Sequence, residues 1–342
     1  MQAIIERMNK TISKLAIVLG LSFFTATSVH AAPNFDELAK YAGVDVQTLK
    51  DATSQAVYQQ KIIDAITRPS EGKPWWQYRK IFITTSRIEA AVRFYFENEK
   101  TLLKAQKDFG VPYEIICAII GVETFFGKNM GNWRVLDALY TLGFNFPKRE
   151  AYFSKEFARF VALASREEWN YDDIKGSYAG AMGMGQFMPS AYLDYAVDYD
   201  GDGYVNLFTN REDAIGSVAN YFKGHGWQTG RGIYYPCHIN NADPKALMDK
   251  QWDLTVQELY ASGATTKVNL SPNQKIRLFA FDLENGQKGY AVGLENFHSI
   301  MRYNTSQLYA RAVYELSEFI AMGVNKEKLR QGKKVVHRSK KP

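Results

Sequence analysis

The sequence predicts an α+β protein, mainly α-helical, with a small antiparallel β region inserted late in the chain. Three observations predict it. Apolar residues recur at helical spacing from Asn34 to about residue 223. From about Gly226 the texture changes to glycines, tyrosine pairs and period-two alternation. Helical patterning then returns after Leu294 and continues to about Ala321. No internal repeat or low-complexity tract interrupts this order.

The elements can be justified in chain order. Arg7, Lys10 and Lys14 precede an apolar run, Leu15 to Phe24, and small residues lead to Val29-His30-Ala31. That is the layout of a secretory signal peptide, residues 1–31, cut near Ala31. The run is short for a membrane span, and an uncleaved N-terminal anchor is the alternative. No cysteine near the cut offers a site for acylation. Asn34-Phe-Asp-Glu and Asp51-Ala-Thr-Ser read as helix starts, and Arg87 to Phe109 as one long amphipathic run. Pro112 suits the first turn of a helix that reaches Glu123. Loops are expected at 142–150 and 170–190. In the β region, Lys267-Val-Asn-Leu and Lys275-Ile-Arg-Leu-Phe-Ala-Phe alternate, and Asn285-Gly286 signals a hairpin.

The net charge of +6 over 342 residues is unevenly placed. Residues 1–31 carry a net +2 and residues 326–342 a net +7, which leaves the intervening body at −3. The basicity is a tail, expected to be solvated and disordered, with adhesion to an anionic surface as the alternative. Nucleic acid is not an expected partner, because the basic residues are not interleaved with aromatics. Aromatics at 14% suit a large core or a groove for sugars and other flat ligands. The two cysteines, Cys117 and Cys237, leave pairing open, and the five histidines show no zinc spacing.

Four constellations carry chemistry. Glu123 shares a helix face with Ile120, Ile119 and Ile116, and phenylalanines come after it. An acid ending an apolar stripe has its neutral form favoured, as a general acid requires. An acid at a frayed helix end is the other reading of that window. The second is Ser177 followed by Gly180-Ala-Met-Gly-Met-Gly-Gln-Phe-Met-Pro-Ser190. Its glycines permit close backbone approach to a ligand, and Gln186 can donate to and accept from sugar hydroxyls. A tight packing turn is the alternative. The third, Asp198-Tyr-Asp-Gly-Asp-Gly-Tyr-Val-Asn206, has the alternating acids and sixth-position glycine of a calcium loop. Its twelfth position is Thr209, so the closing acid must be Glu212 or Asp213. Such a site would be structural, and a solvated acidic turn is the alternative. The fourth is Arg302-Tyr-Asn-Thr-Ser306, with Tyr303 and Tyr309 six apart. Both tyrosines can be core residues or ligands.

These four signals coincide with the lytic murein transglycosylases of the B type (glycoside hydrolase family 103), including the soluble periplasmic form, which the chain resembles in the ordered blocks Ile119-Ile-Gly-Val-Glu-Thr, Gly180–Ser190, Asp213-Ala-Ile-Gly-Ser-Val-Ala-Asn-Tyr-Phe and Arg302-Tyr-Asn-Thr-Ser. The resemblance covers about residues 34–322. It implies a lysozyme-like catalytic domain (103–227 with 291–310), a surrounding helical domain (33–102 with 311–325) and a small β domain (228–290), with residues 326–342 as a tail. It implies cleavage of the β-1,4 bond between N-acetylmuramic acid and N-acetylglucosamine, with Glu123 as the acid. Groove positions fall on Tyr78, Arg79, Lys148, Arg149, Ser177, Gln186, Phe187, Tyr221, Tyr303 and Tyr309. The soluble form has two arginines at the Lys148-Arg149 pair. The implied calcium ligands are Asp198, Asp200, Asp202, Tyr204 and Asp213, although one extra residue precedes Asp213 here.

Ordinary glycosidases use two carboxylates. The second candidates here, Asp172 and Asp173, read as a solvated turn. The resemblance implies that Glu123 acts alone, first as acid and then as base, producing a 1,6-anhydro end. A water-admitting muramidase and a non-catalytic peptidoglycan-binding scaffold are the rivals. The expected setting is a periplasmic monomer acting on glycan strands, with other cell-wall enzymes as conceivable partners.

Overall fold

A computed structural model describes residues 34–68 and 72–333. The expected signal peptide lies outside the described residues, as does the tail from residue 334 on. The chain opens with helices α1 (Phe35–Ala42), α2 (Val46–Gln55), α3 (Gln60–Ile66), α4 (Trp75–Phe82), α5 (Thr85–Glu97), α6 (Glu99–Phe109) and α7 (Tyr113–Thr124). Strand β1 (Trp133–Arg134) leads into the helical pair α8 (Val135–Asn145) and α9 (Glu150–Arg166). β1 pairs antiparallel with β2 (Lys175–Gly176), and α10 (Pro189–Tyr195) and α11 (Arg211–Gly224) come next.

Three helix expectations are corrected. The run Arg87–Phe109 is two helices, because Asn98 leaves helical geometry (φ −128°, ψ 23°) and turns its side-chain amide back to the Phe94 carbonyl at 2.8 Å. Asp51 lies inside α2, which starts after Asp45. Pro112 sits one place before the first turn of α7, extended at ψ 140°.

The β region is a five-stranded antiparallel sheet in the order β4 (Leu254–Thr255), β6 (Lys275–Asp282), β7 (Lys288–Gly293), β3 (Tyr234–His238), β5 (Thr265–Thr266). The Asn285-Gly286 hairpin is present, with Gly286 at φ 76° and Asp282 paired to Lys288. Lys267–Leu270 is not the expected strand. Thr266 Oγ1 donates to the Val268 carbonyl at 2.8 Å, so side chains take the place of a ladder there. Helices α12 (Pro244–Asp249) and α13 (Val256–Ala261) lie beside the sheet in sequence. Period-two alternation divides the sheet's faces. Ile276, Leu278 and Val292 join Leu254, Val256 and Leu259 in a separate buried cluster, while Phe279, Phe281 and Ala291 join the main core.

The chain then returns to helix in α14 (Glu295–Tyr303) and α15 (Gln307–Arg330). The latter corrects the expected start of the tail. Lys328 is held by Glu99 at 2.8 Å and Tyr95 at 2.6 Å, which keeps the helix going past Lys326. The centre of the main core is α7. Ile115 to Ile120 have no exposure, and α5, α6, α11 and α15 pack around them. The helix is therefore apolar all round rather than along one stripe, as a central helix must be. Each buried isoleucine contributes about 2–3 kcal/mol. Among the described residues, no helix is long and apolar enough to cross a membrane.

Candidate active site

The buried helix α7 delivers Glu123 to its own C-terminal end. The residue keeps some exposure, and its Oε1 accepts a hydrogen bond from the Tyr309 hydroxyl at 2.5 Å. Burial pushes the Glu123 carboxyl up to about 7, and the Tyr309 hydrogen bond opposes that rise. Tyr309 comes from the first turn of α15, where Ser306 caps the helix by accepting from the Tyr309 N–H. Burial and the neighbouring Glu123 hold the Tyr309 phenol well above its usual range, so it stays a donor.

Removal of that donor has a predictable sign. The hydrogen bond favours the charged carboxylate, so Tyr309→Phe raises the Glu123 pKa further. A general acid must be protonated at the start of the reaction. With Glu123 as the expected acid, the alkaline limb of kcat/KM should fall near pH 7 in the wild type and at higher pH in Tyr309→Phe. A pH–rate profile checks this, and a limb that stays put or moves down contradicts it.

The residues after Glu123 are held tightly. Phe125 and Phe126 both have left-handed backbones (φ 52° and 61°), a cost of about 1 kcal/mol or more each. The Phe126 ring packs on Phe94 at 5.0 Å, which helps fix that conformation. Thr124 Oγ1 donates to the Met184 carbonyl at 2.8 Å and accepts from the Gly127 N–H at 2.9 Å. The end of α7 is thus tied to the glycine-rich loop. Arg87, which the sequence reading missed, donates to the Gly121 carbonyl at 3.1 Å and lies over the Phe125 ring. A cation at a helix C-terminus is favourable there.

The glycine-rich loop folds back through paired Met182–Phe187 hydrogen bonds of 2.8 Å. Gly183 is required at φ 70°, because a Cβ there would lie 2.6 Å from the Leu207 carbonyl. Gln186 is itself left-handed (φ 51°), and its amide donates to the Met130 and Gly183 carbonyls. Both of its donors are therefore used locally, leaving its oxygen to accept from a ligand. Ser177 Oγ accepts from the Ala181 N–H at 3.1 Å, so its hydroxyl proton remains available.

Gln186, Phe187, Tyr221 and Tyr303 line one cavity of about 310 Å³, together with Tyr152, His225 and Arg302. Tyr303 donates to the Gly185 carbonyl at 2.5 Å and stands edge-on to Tyr221 at 4.7 Å. Tyr221 stacks on His225 at 3.9 Å. The alternatives of core and ligand for the tyrosine pair merge: Tyr303 and Tyr309 are held by buried contacts and each bonds a site element. Tyr152, His225 and Arg302 carried no sequence signal of their own, although Arg302 stood inside a named block.

Other expected groove residues are less direct. Tyr78 is buried on Phe82 at 5.2 Å and lies near enough to Tyr309 to act on its phenol. Arg79 is ion-paired with Glu315. Lys148 and Arg149 are exposed on a single 3₁₀ turn, with Arg149 over the ring of Tyr152 at 4.6 Å. Asp172 is an exposed turn residue paired with Arg134 at 2.9 Å. Both cysteines are buried free thiols.

Asp198, Asp200 and Asp202 converge, each offering an oxygen within 4.8 Å of the others. Asp198 Oδ2 accepts from the Gly203 N–H at 2.8 Å, and Gly203 takes φ 95°. Asp213, fully buried, accepts the Tyr199 and Asn206 N–H groups, one on each oxygen, at 2.8 Å. Glu212 is exposed. Tyr204 turns its side chain to solvent, consistent with only its carbonyl being of use. Oxygen donors in this arrangement suit a hard cation.

The Transglycosylase SLT domain family matches residues 28–318. The chain is 40% identical over 311 residues to membrane-bound lytic murein transglycosylase B of Escherichia coli, covering 87% of this chain and 84% of that one. Its fold is similar to the catenated lytic transglycosylase SltB1 of Pseudomonas aeruginosa, with TM-score 0.80, 42% identity, and coverage of 86% of this chain and 99% of that one. It is also similar to the Escherichia coli lytic transglycosylase Slt35 in complex with calcium, with TM-score 0.75, 40% identity, and coverage of 85% and 92%.

Proposed function

Because this chain belongs to the transglycosylase SLT domain family and is a peptidoglycan-cleaving lytic transglycosylase, we propose that Glu123 alone performs both of its proton transfers. The neutral carboxyl protonates the glycosidic oxygen between N-acetylmuramic acid and N-acetylglucosamine. The 2-acetamido group of the muramic sugar supports the oxocarbenium-like centre. The carboxylate that remains then takes the proton of the same sugar's C6 hydroxyl, and O6 attacks C1. The products are a 1,6-anhydro end and a free 4-hydroxyl, and no water is consumed. The Gln186 oxygen, Ser177 and the aromatic walls formed by Phe187, Tyr221 and Tyr303 orient the sugar so that O6 outcompetes water. Tyr78, Arg79, Lys148, Arg149 and Tyr309 complete the binding and positioning set.

The observation that carries this reading is the Glu123 carboxyl, held at the end of the buried helix α7, bonded to the Tyr309 hydroxyl and raised to about 7 by burial. A two-carboxylate mechanism needs a partner acid, and the candidate Asp172 is an exposed residue already paired with Arg134. Mass spectrometry of digested sacculi tests the proposal. Every new N-acetylmuramic acid end should be one water lighter than a reducing end, and a majority of reducing ends would overturn it.

We further propose that calcium binds Asp198, Asp200, Asp202 and the Tyr204 carbonyl, with Asp213 rather than Glu212 closing the site. A buried acid that already organises two loop amides is the better placed of the two. The ion's role is to tie the loop to α11. The signal-like N-terminus and the substrate together support action in the periplasm.

A further inference from the structure

We propose that Arg302 is a specificity residue that recognises a carboxylate on the glycan, in the cavity it lines with Tyr221, His225 and Tyr303. This rests on the reading of that cavity as the glycan groove. Among the described residues Arg302 has no ion pair or hydrogen bond through its guanidinium, and it is exposed on the cavity lining. Its backbone is fixed on both sides. The Arg302 carbonyl accepts from the Tyr221 hydroxyl at 2.7 Å, and the next residue, Tyr303, is anchored on the Gly185 carbonyl. An anchored backbone with a free planar cation is suited to bidentate capture of a carboxylate.

The rest of the lining sharpens the chemistry. The acid on this wall, Asp194, is ion-paired with Arg159. His225 Nδ1 faces the Tyr221 carbonyl at 2.8 Å, so it carries the proton and Nε2 is an acceptor. Burial and the neighbouring Arg302 keep the His225 pKa below its usual range. Among the described residues, Arg302 is thus the unneutralised permanent charge of the cavity wall. A glycan backbone is neutral apart from its carboxylates. These come from two sources: the lactyl group where the peptide has been removed, or the peptide stem where it is present.

Calorimetry on full-length chain carrying Glu123→Gln separates them with three oligosaccharides of equal length. One is peptide-free with lactyl carboxylates, one carries peptide stems, and the third is chitotetraose, which has no carboxylate. Arg302→Ala should weaken binding about tenfold or more for one or both charged ligands, and less than twofold for chitotetraose. Arg302→Lys should recover part of the loss. The ligand that loses affinity identifies the source. Unchanged affinity for both charged ligands, or equal loss on all three, overturns the proposal. Failure of Glu123→Gln itself to bind any of the three would instead overturn the groove reading, and this inference with it.

Discussion

Glu123→Gln should keep the fold and glycan binding while losing peptidoglycan cleavage by about a hundred- to ten-thousand-fold, the usual worth of a positioned general acid–base. The amide fills the same space and still accepts from Tyr309, but it can neither give nor take the proton. The same variant should be more stable above neutral pH. The wild-type carboxyl is raised from 4.5 to about 7 in the folded state, so folding binds its proton more tightly. Its contribution to stability is full below about pH 4.5 and is lost as pH climbs to about 7. That difference corresponds to up to about 3 kcal/mol. Glutamine does not titrate, so the variant gains on wild type across that window and holds the gain above it. Dye-release assays on sacculi and melting curves at pH 4 and pH 8 check both halves. Wild-type-like cleavage, or a stability difference independent of pH, would count against the role assigned to this residue.

Asp213→Ala should lower stability by about 3 kcal/mol without calcium, because it strands two part-buried N–H groups, those of Tyr199 and Asn206, and by more with calcium, because it also removes the proposed closing ligand. Asp202→Asn makes the contrast. Asparagine keeps an oxygen for the Tyr204 N–H, and it removes one charge from three clustered acids. Without calcium its melting temperature should equal or exceed that of wild type. With calcium, wild type should gain several degrees by preferential binding to the folded state, and Asp202→Asn should gain little. Chelation should correspondingly lower the wild-type melting temperature alone. A wild-type curve indifferent to both calcium and chelator, with no ion found by elemental analysis, would remove the metal from the account.

Much of this was legible before any coordinates. The Asn285-Gly286 turn, the alternation of Lys275–Phe281 and the acid spacing of Asp198–Gly203 are local patterns, and local backbone physics honours them. The helix break at Asn98 was not legible, because the amphipathic pattern runs through it and only the side-chain bond to Phe94 competes with the helix. The length of α15 was hidden by composition: a basic run reads as solvated until Glu99 and Tyr95 are seen waiting for Lys328.

The sequence by itself singled out the acid on which the proposed chemistry rests. Glu123 comes after a run of isoleucines, and burial of such a run takes its carboxyl with it. It also determined the mainly helical class, the sheet insert and the cation-loop spacing, since each depends on neighbours a few residues apart. Tertiary structure alone decided what meets that acid. Tyr309 lies 186 residues away, Gln186 spends both donors on the Met130 and Gly183 carbonyls, and Arg302 has no counter-ion among the described residues. Periodicity can say which residues face inward. It cannot say which two faces meet, because that depends on packing of elements distant in the chain, and there the pKa, the orientation and the unpaired charge of this site are set.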